Sequence, residues 1–162
     1  MRPISFAQEP SDGERNAVLK WLREFNLREN KDFMQSLMNG AEEEFFLVAR
    51  DPGSDSVLGG IRGSFLCRWL KVDIMAVSPH HRNEGVGRRL VEEAERLGIE
   101  KGCIYSYVDT MSFQAPEFYR QLGYGESGRL IDWDSHGHDK IFFTKALVAP
   151  AKAPEGAVSN AC

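Results

Sequence analysis

Between Val77 and Leu90 the chain reads V-S-P-H-H-R-N-E-G-V-G-R-R-L, which places Arg82, Gly85 and Gly87 in the spacing R-x-x-G-x-G. Glycines at the start of a helix let the backbone take positive φ and come close to a ligand. The first N–H groups of a helix have no partner within it and lie at the positive end of its dipole. Such a turn followed by a helix binds phosphate, and Arg82 and Arg88 add positive charge beside it. The same glycine spacing also occurs in ordinary tight strand-to-helix turns. No G-K-[ST] follows, and the pattern does not extend to G-x-G-x-x-G, so neither a Walker loop nor a dinucleotide fingerprint is present.

The elements around this loop follow from periodicity. Trp69–Val77 is apolar and β-prone, and Val86, Leu90, Ala94 and Leu97 repeat at helical steps, so a strand enters the loop and a helix leaves it. Upstream, Ile4–Gln8 is expected as a short first strand. A helix follows, capped by Ser11 or Asp12 and carrying Ala17, Val18, Trp21, Leu22 and Phe25 on one face. A second helix is expected over Asp32–Met38, ended by Asn39-Gly40. Glu44–Arg50, Val57–Leu66 and Trp69–Val77 form a meander. Glycines 59, 60 and 63 in its middle strand point to a bulge or close packing. Cys103–Val108 should run parallel to Trp69–Val77, because a strand-helix-strand crossover makes parallel neighbours. Glu117–Leu122 reads as a short helix, and Gly125–Ile131 with Lys140–Leu147 as a closing antiparallel pair. The fold class is α/β (α+β): a mixed sheet with an antiparallel N-terminal meander, a parallel step at the glycine loop, and helices on both faces. Residues 1–147 form the domain, and 148–162, rich in Ala and Pro, form a flexible tail.

At 162 residues the chain suits one domain, and a net charge of −4 does not favour a nucleic-acid partner. No apolar run approaches a membrane span, and the N-terminus has no signal-peptide core. Cys67, Cys103 and Cys162 form no disulfide framework, which fits a reducing cytoplasm. His136 and His138 form an H-x-H without a third ligand at a supporting spacing, so no metal is expected. Phe and Trp positions are assigned to the core.

The strand ending V-x-P, the R-x-x-G-x-G loop and the later A-P-E-F-Y-R-Q-L-G-Y at residues 115–124 together resemble the GCN5-related N-acetyltransferases (GNAT), in a small bacterial branch. The resemblance spans residues 4–147 in element order and is specific in motif over 69–124. It implies acetyl-CoA as the acyl-donor substrate. The pyrophosphate would sit on backbone N–H groups from Arg82 through Gly85, Val86 and Gly87 to Arg88. The pantetheine arm would lie between splayed strands, on backbone groups of Met75 and Val77. Ser112 is expected among the cofactor-binding residues, at the position where many relatives carry an Asn.

Acyl transfer to an amine requires a neutral amine, a stabilised oxyanion and a leaving thiolate. An alkyl ammonium titrates near ~10.4, so a base must take its proton. Asp73 is the leading candidate, because period two places it on the side of Met75 and Val77; Asp109 or a water chain is the alternative. The resemblance places Tyr119 beside the sulfur of CoA. A phenol near ~10 does not readily protonate a thiolate near ~8.5, so Tyr119 is read as a hydrogen-bond donor to the departing sulfur. The acceptor is then a primary amine of a small molecule attacking directly in a ternary complex, with a homodimer compatible. A non-catalytic acyl-CoA sensor and a protein-modifying acetyltransferase are the alternatives.

Overall fold

The computed structural model describes residues 2–147. The expected tail at 148–162 lies outside the described residues. Two compact units divide the chain between Ala41 and Glu42.

The first unit holds α1 (Asp12–Glu29) and α2 (Lys31–Met38). Ser11 is the N-cap of α1. Its side chain accepts from the Glu14 backbone N–H, while the Glu14 carboxylate accepts from the Ser11 N–H at 2.7 Å, a reciprocal capping box. Asn30 ends α1 and caps α2, accepting from the Phe33 N–H at 3.4 Å. The expected strand at Ile4–Gln8 does not form: residues 2–7 carry no regular structure. Ile4 and Phe6 are 75% and 92% exposed, so no buried apolar face holds that segment extended.

The second unit is a six-stranded sheet: β1 (Glu43–Arg50), β2 (Val57–Leu66), β3 (Trp69–Val77), β4 (Tyr105–Met111), β5 (Gly125–Leu130) and β6 (Lys140–Ala146). The order is β1-β2-β3-β4-β6-β5. Among the described strands only β3 and β4 pair in parallel, as the crossover through α3 (Val86–Glu100) requires. That ladder has four rungs, from Trp69↔Tyr105 to Val72↔Val108, clamped at its closed end by Trp69 stacked on Tyr105 at 4.8 Å. β3 continues to Val77 and β4 to Met111 without pairing to each other, which leaves a fork.

The core lies between one face of the sheet and α3 with α4 (Pro116–Gln121). Ile61, Leu70, Val72, Val108, Ile141 and Phe143 meet Leu90, Val91 and Ala94 of α3 and Tyr119 of α4 there. Full burial of such side chains contributes about 1.5–3 kcal/mol each, which fixes α3 against the sheet and so fixes the loop at its start. The β2–β3 register shifts at Arg62/Gly63, as the glycines suggested. A Cβ on Gly63 would stand 2.0 Å from the Lys71 carbonyl oxygen, so only glycine fits.

Candidate functional site

The fork opens onto a cleft of about 900 Å³ that runs from β3 and β4 to the start of α3 and to α4. Its walls include Asp73, Met75 and Val77 from β3, Asp109 and Thr110 from β4, Arg82 and Gly85–Arg88 from the loop, and Tyr119. Of the residues assigned from sequence to catalysis or to cofactor binding, all but Ser112 line this cleft.

The glycine loop is built as a cradle. Pro79–His81 make a single 3-10 turn, Gly85 takes φ +80°, and α3 starts at Val86 with no side chain capping it. The N–H groups of the first turn are therefore left for an outside acceptor. The two glycines do different work. A Cβ on Gly85 would meet nothing within 4 Å, so Gly85 is required by its positive φ. A Cβ on Gly87 would come within 3.3 Å of the Phe118 ring and 3.4 Å of Val77, so a small residue at 87 allows the close approach of α3 to α4 and β3.

Three expectations need correction. Asp73 does not share a face with Met75. The register runs from Gly63↔Val72 to Arg62↔Ile74, so Asp73 is an extra residue at a bulge, where period two fails. Its carboxylate pairs instead with Lys71 Nζ at 2.8 Å, on the face opposite the buried Leu70 and Val72. That pairing holds Lys71 above its ordinary pKa, chiefly through the hydrogen bond to Asp73. Asp73 still lines the cleft because it stands at the fork. Ser112 does not line the cleft. Its hydroxyl accepts from the Asp139 N–H at 3.1 Å, and its own N–H donates to the Asp139 carbonyl at 2.8 Å, which ties the end of β4 to the start of β6. Nor are the aromatic residues all core: Trp69, Phe113 and Trp133 are 40%, 60% and 56% exposed.

Tyr119 is 6% exposed, with its ring against Phe118, Tyr124 and Phe143. Burial, and secondarily the charge of Asp109, pushes its phenol up to about 12. It stays protonated throughout the ordinary pH range and so keeps a proton to donate. Asp109 is held at both oxygens: Tyr107 Oη donates to Oδ1 at 3.0 Å, and Lys140 Nζ lies 2.9 Å from Oδ2. Burial first, and that hydrogen bond second, push the Tyr107 phenol up to about 12.

Gln114 is a cleft residue that sequence reasoning missed. Its carbonyl oxygen accepts from the Met111 N–H at 2.8 Å and from Thr110 Oγ1 at 3.0 Å, folding the β4–α4 turn over the cleft. No periodicity marks a lone polar residue of this kind. His136 and His138 are organised by Asp134, whose carboxylate accepts from both backbone N–H groups and meets His138 Nδ1 at 2.7 Å. No group of three or more metal-ligating side chains occurs among the described residues.

The profile of the acetyltransferase (GNAT) family matches residues 15–124. The chain belongs to the GNAT acetyltransferase family. Among solved structures, an acetyltransferase from Bacillus cereus ATCC 14579 superposes with a TM-score of 0.70 at 30% identity, covering 88% of this chain and 97% of that one. An aminoglycoside 6'-N-acetyltransferase complexed with coenzyme A superposes with a TM-score of 0.61 at 17% identity, covering 88% and 98%. Among curated proteins, the blasticidin-S acetyltransferase of Streptomyces morookaense is 42% identical over 76 residues, 46% of this chain and 56% of that one. This GNAT chain thus spans about half the length of the curated relatives it matches. Among the described residues no helix is long and apolar enough to cross a membrane.

Proposed function

We propose that this chain is an acetyl-CoA-dependent N-acetyltransferase that moves the acetyl group to a primary amine of a small molecule by direct attack in a ternary complex. The observation that carries the reading is the fork between β3 and β4, open beyond Val72↔Val108 and continuous with the uncapped start of α3. Unpaired backbone edges accept an extended chain as an added strand, which suits a pantetheine arm on Met75 and Val77. The N–H groups of Val86, Gly87 and Arg88, with Arg82, suit its pyrophosphate. Family membership supports this, as does the coenzyme A bound to the aminoglycoside 6'-N-acetyltransferase of the same fold.

In this reading, Asp73 or Asp109 takes the ammonium proton. The amine nitrogen bonds to the thioester carbonyl carbon, and the C–S bond breaks. Tyr119, protonated at neutral pH, hydrogen-bonds to the departing thiolate. One observation favours a second reading, an acyl-CoA sensor: both carboxylates at the fork are already neutralised, by Lys71 and Lys140.

The test is calorimetric titration with CoA and acetyl-CoA, followed by a thiol-release screen of amines, amino acids and aminoglycosides. Saturable CoA binding with amine-dependent thiol release supports the enzyme. Binding without release across the screen supports the sensor. No binding at millimolar CoA refutes both.

A further inference from the structure

Lys140 is ion-paired with a carboxylate that lines the cleft. Lys140 starts β6, opposite Met111, but its side chain reaches back along the sheet to Asp109. Its ammonium lies 2.9 Å from Asp109 Oδ2, 5.4 Å from the centroid of the Trp133 ring and 5.7 Å from that of Phe142. Carboxylate and aromatic faces together make an ammonium site. Asp109 is the first residue of β4 past the last parallel rung, and it lines the cleft, while Lys140 does not. The Lys140 side chain is 26% exposed.

The other paired lysines are placed differently. Lys20, Lys101 and Lys145 pair with Glu24, Glu43 and Glu95, which do not line the cleft. Lys71 pairs with Asp73 at the fork, but its side chain is 49% exposed to solvent, against 26% for Lys140.

We propose that the chain acetylates itself at Lys140, with Asp109 as the proton acceptor. The inference rests on the reading that the fork receives acetyl-CoA. The Lys140 ammonium gives a proton to Asp109, which passes it to solvent. The freed lone pair bonds to the thioester carbonyl carbon, the C–S bond breaks, and the thiolate leaves against Tyr119 and is protonated from solvent. The balance is ammonium plus acetyl-CoA to acetamide, CoA thiol and one proton. The four-carbon stem gives Nζ the freedom to move from Asp109 to the thioester. Acetylation removes the ammonium charge and frees the Asp109 carboxylate for an incoming amine.

The experiment is incubation of the full chain with carbon-13-labelled acetyl-CoA at neutral pH, read by intact mass and peptide mapping. Thermal unfolding with and without CoA is measured on the same samples. One labelled acetyl group at Lys140 is expected. It should be lost in Lys140→Arg, which keeps the charge, and slowed at least ~10²-fold in Asp109→Asn. CoA should raise the melting temperature of both variants, showing that they fold and bind. Stabilisation by CoA with Lys140 unlabelled overturns this inference alone. Label spread over exposed lysines and indifferent to Asp109→Asn overturns it as well, because that is uncatalysed chemistry. Absence of both stabilisation and label overturns the reading of the fork and this inference with it.

Discussion

Val72 and Val108 form the last rung of the parallel ladder, and the cleft exists because nothing follows it. The two strands are clamped by Trp69 on Tyr105 at one end and part at the other. The bulge at Asp73 falls immediately after that rung, so β3 changes its pleat where it loses its neighbour. The open edges, the cradle at α3 and the Tyr119 hydroxyl side of α4 then face one space.

The two glycines of the loop should respond differently to substitution. Gly85→Ala puts a Cβ at φ +80° with free space around it and should cost about 1–2 kcal/mol from conformation alone. Gly87→Ala exchanges a gain in helix propensity of about 1 kcal/mol for a tight contact with Phe118 and should be close to neutral. Gly87→Val should cost about 1–3 kcal/mol by overpacking. Urea unfolding of the three variants measures this, and equal losses at Gly85→Ala and Gly87→Ala would contradict it.

Arg82 lines the cleft at the phosphate end. Arg82→Gln should weaken CoA binding by about 1.5–3 kcal/mol, roughly tenfold to a hundredfold, and reduce its salt dependence. Calorimetry at two ionic strengths gives the answer. Unchanged affinity would remove Arg82 from the cradle.

Tyr119→Phe keeps the buried ring and removes only the hydroxyl. With any accepted amine, kcat should fall by ~10²-fold or more while CoA affinity holds. A well-folded variant with full turnover would take Tyr119 out of the mechanism.

Alkaline pH should destabilise the fold. The Tyr119 phenol is raised from its ordinary value to about 12, so the folded state holds a proton that the unfolded chain releases. That contribution is complete below pH 10 and is lost as pH rises through about 12, for a total of about 3 kcal/mol. The Tyr124 phenol, which shares a 2.8 Å hydrogen bond with Ser106, is raised as well, chiefly by burial, and adds to the loss. Melting temperature against pH should fall above pH 10, less steeply in Tyr119→Phe. Parallel curves for wild type and variant would show that Tyr119 is not the source.

Glu95 of α3 is 9% exposed and accepts from Lys145 Nζ at 2.7 and 2.9 Å. Lys145→Met leaves that carboxylate without its partner and should cost about 3–5 kcal/mol. Glu95→Gln together with Lys145→Met should recover part of the loss. Chemical denaturation of single and double variants tests the coupling, and additive losses would refute it.

The sequence by itself determined the local chemistry and the elements that carry it. R-x-x-G-x-G between an apolar strand and an amphipathic helix, and A-P-E-F-Y further on, are short-range patterns. Backbone freedom at Gly85 and the apolar repeat of Val86, Leu90 and Ala94 act within a few turns of chain, so the loop, α3, the parallel crossover and the family were all legible. Only the tertiary structure decided what depends on register and on partners distant in the chain. Strand β6 inserts between β4 and β5, which brings Lys140 to Asp109 across thirty-one positions of sequence, from 109 to 140. The bulge turns Asp73 toward Lys71, and no period-two count detects one extra residue in a ladder. Ser112 is consumed by Asp139 for the same reason: a side chain's hydrogen bond goes to whichever group folding brings within reach. Pairing between strands is settled by the burial of whole faces, and a residue's type records only that it can take part.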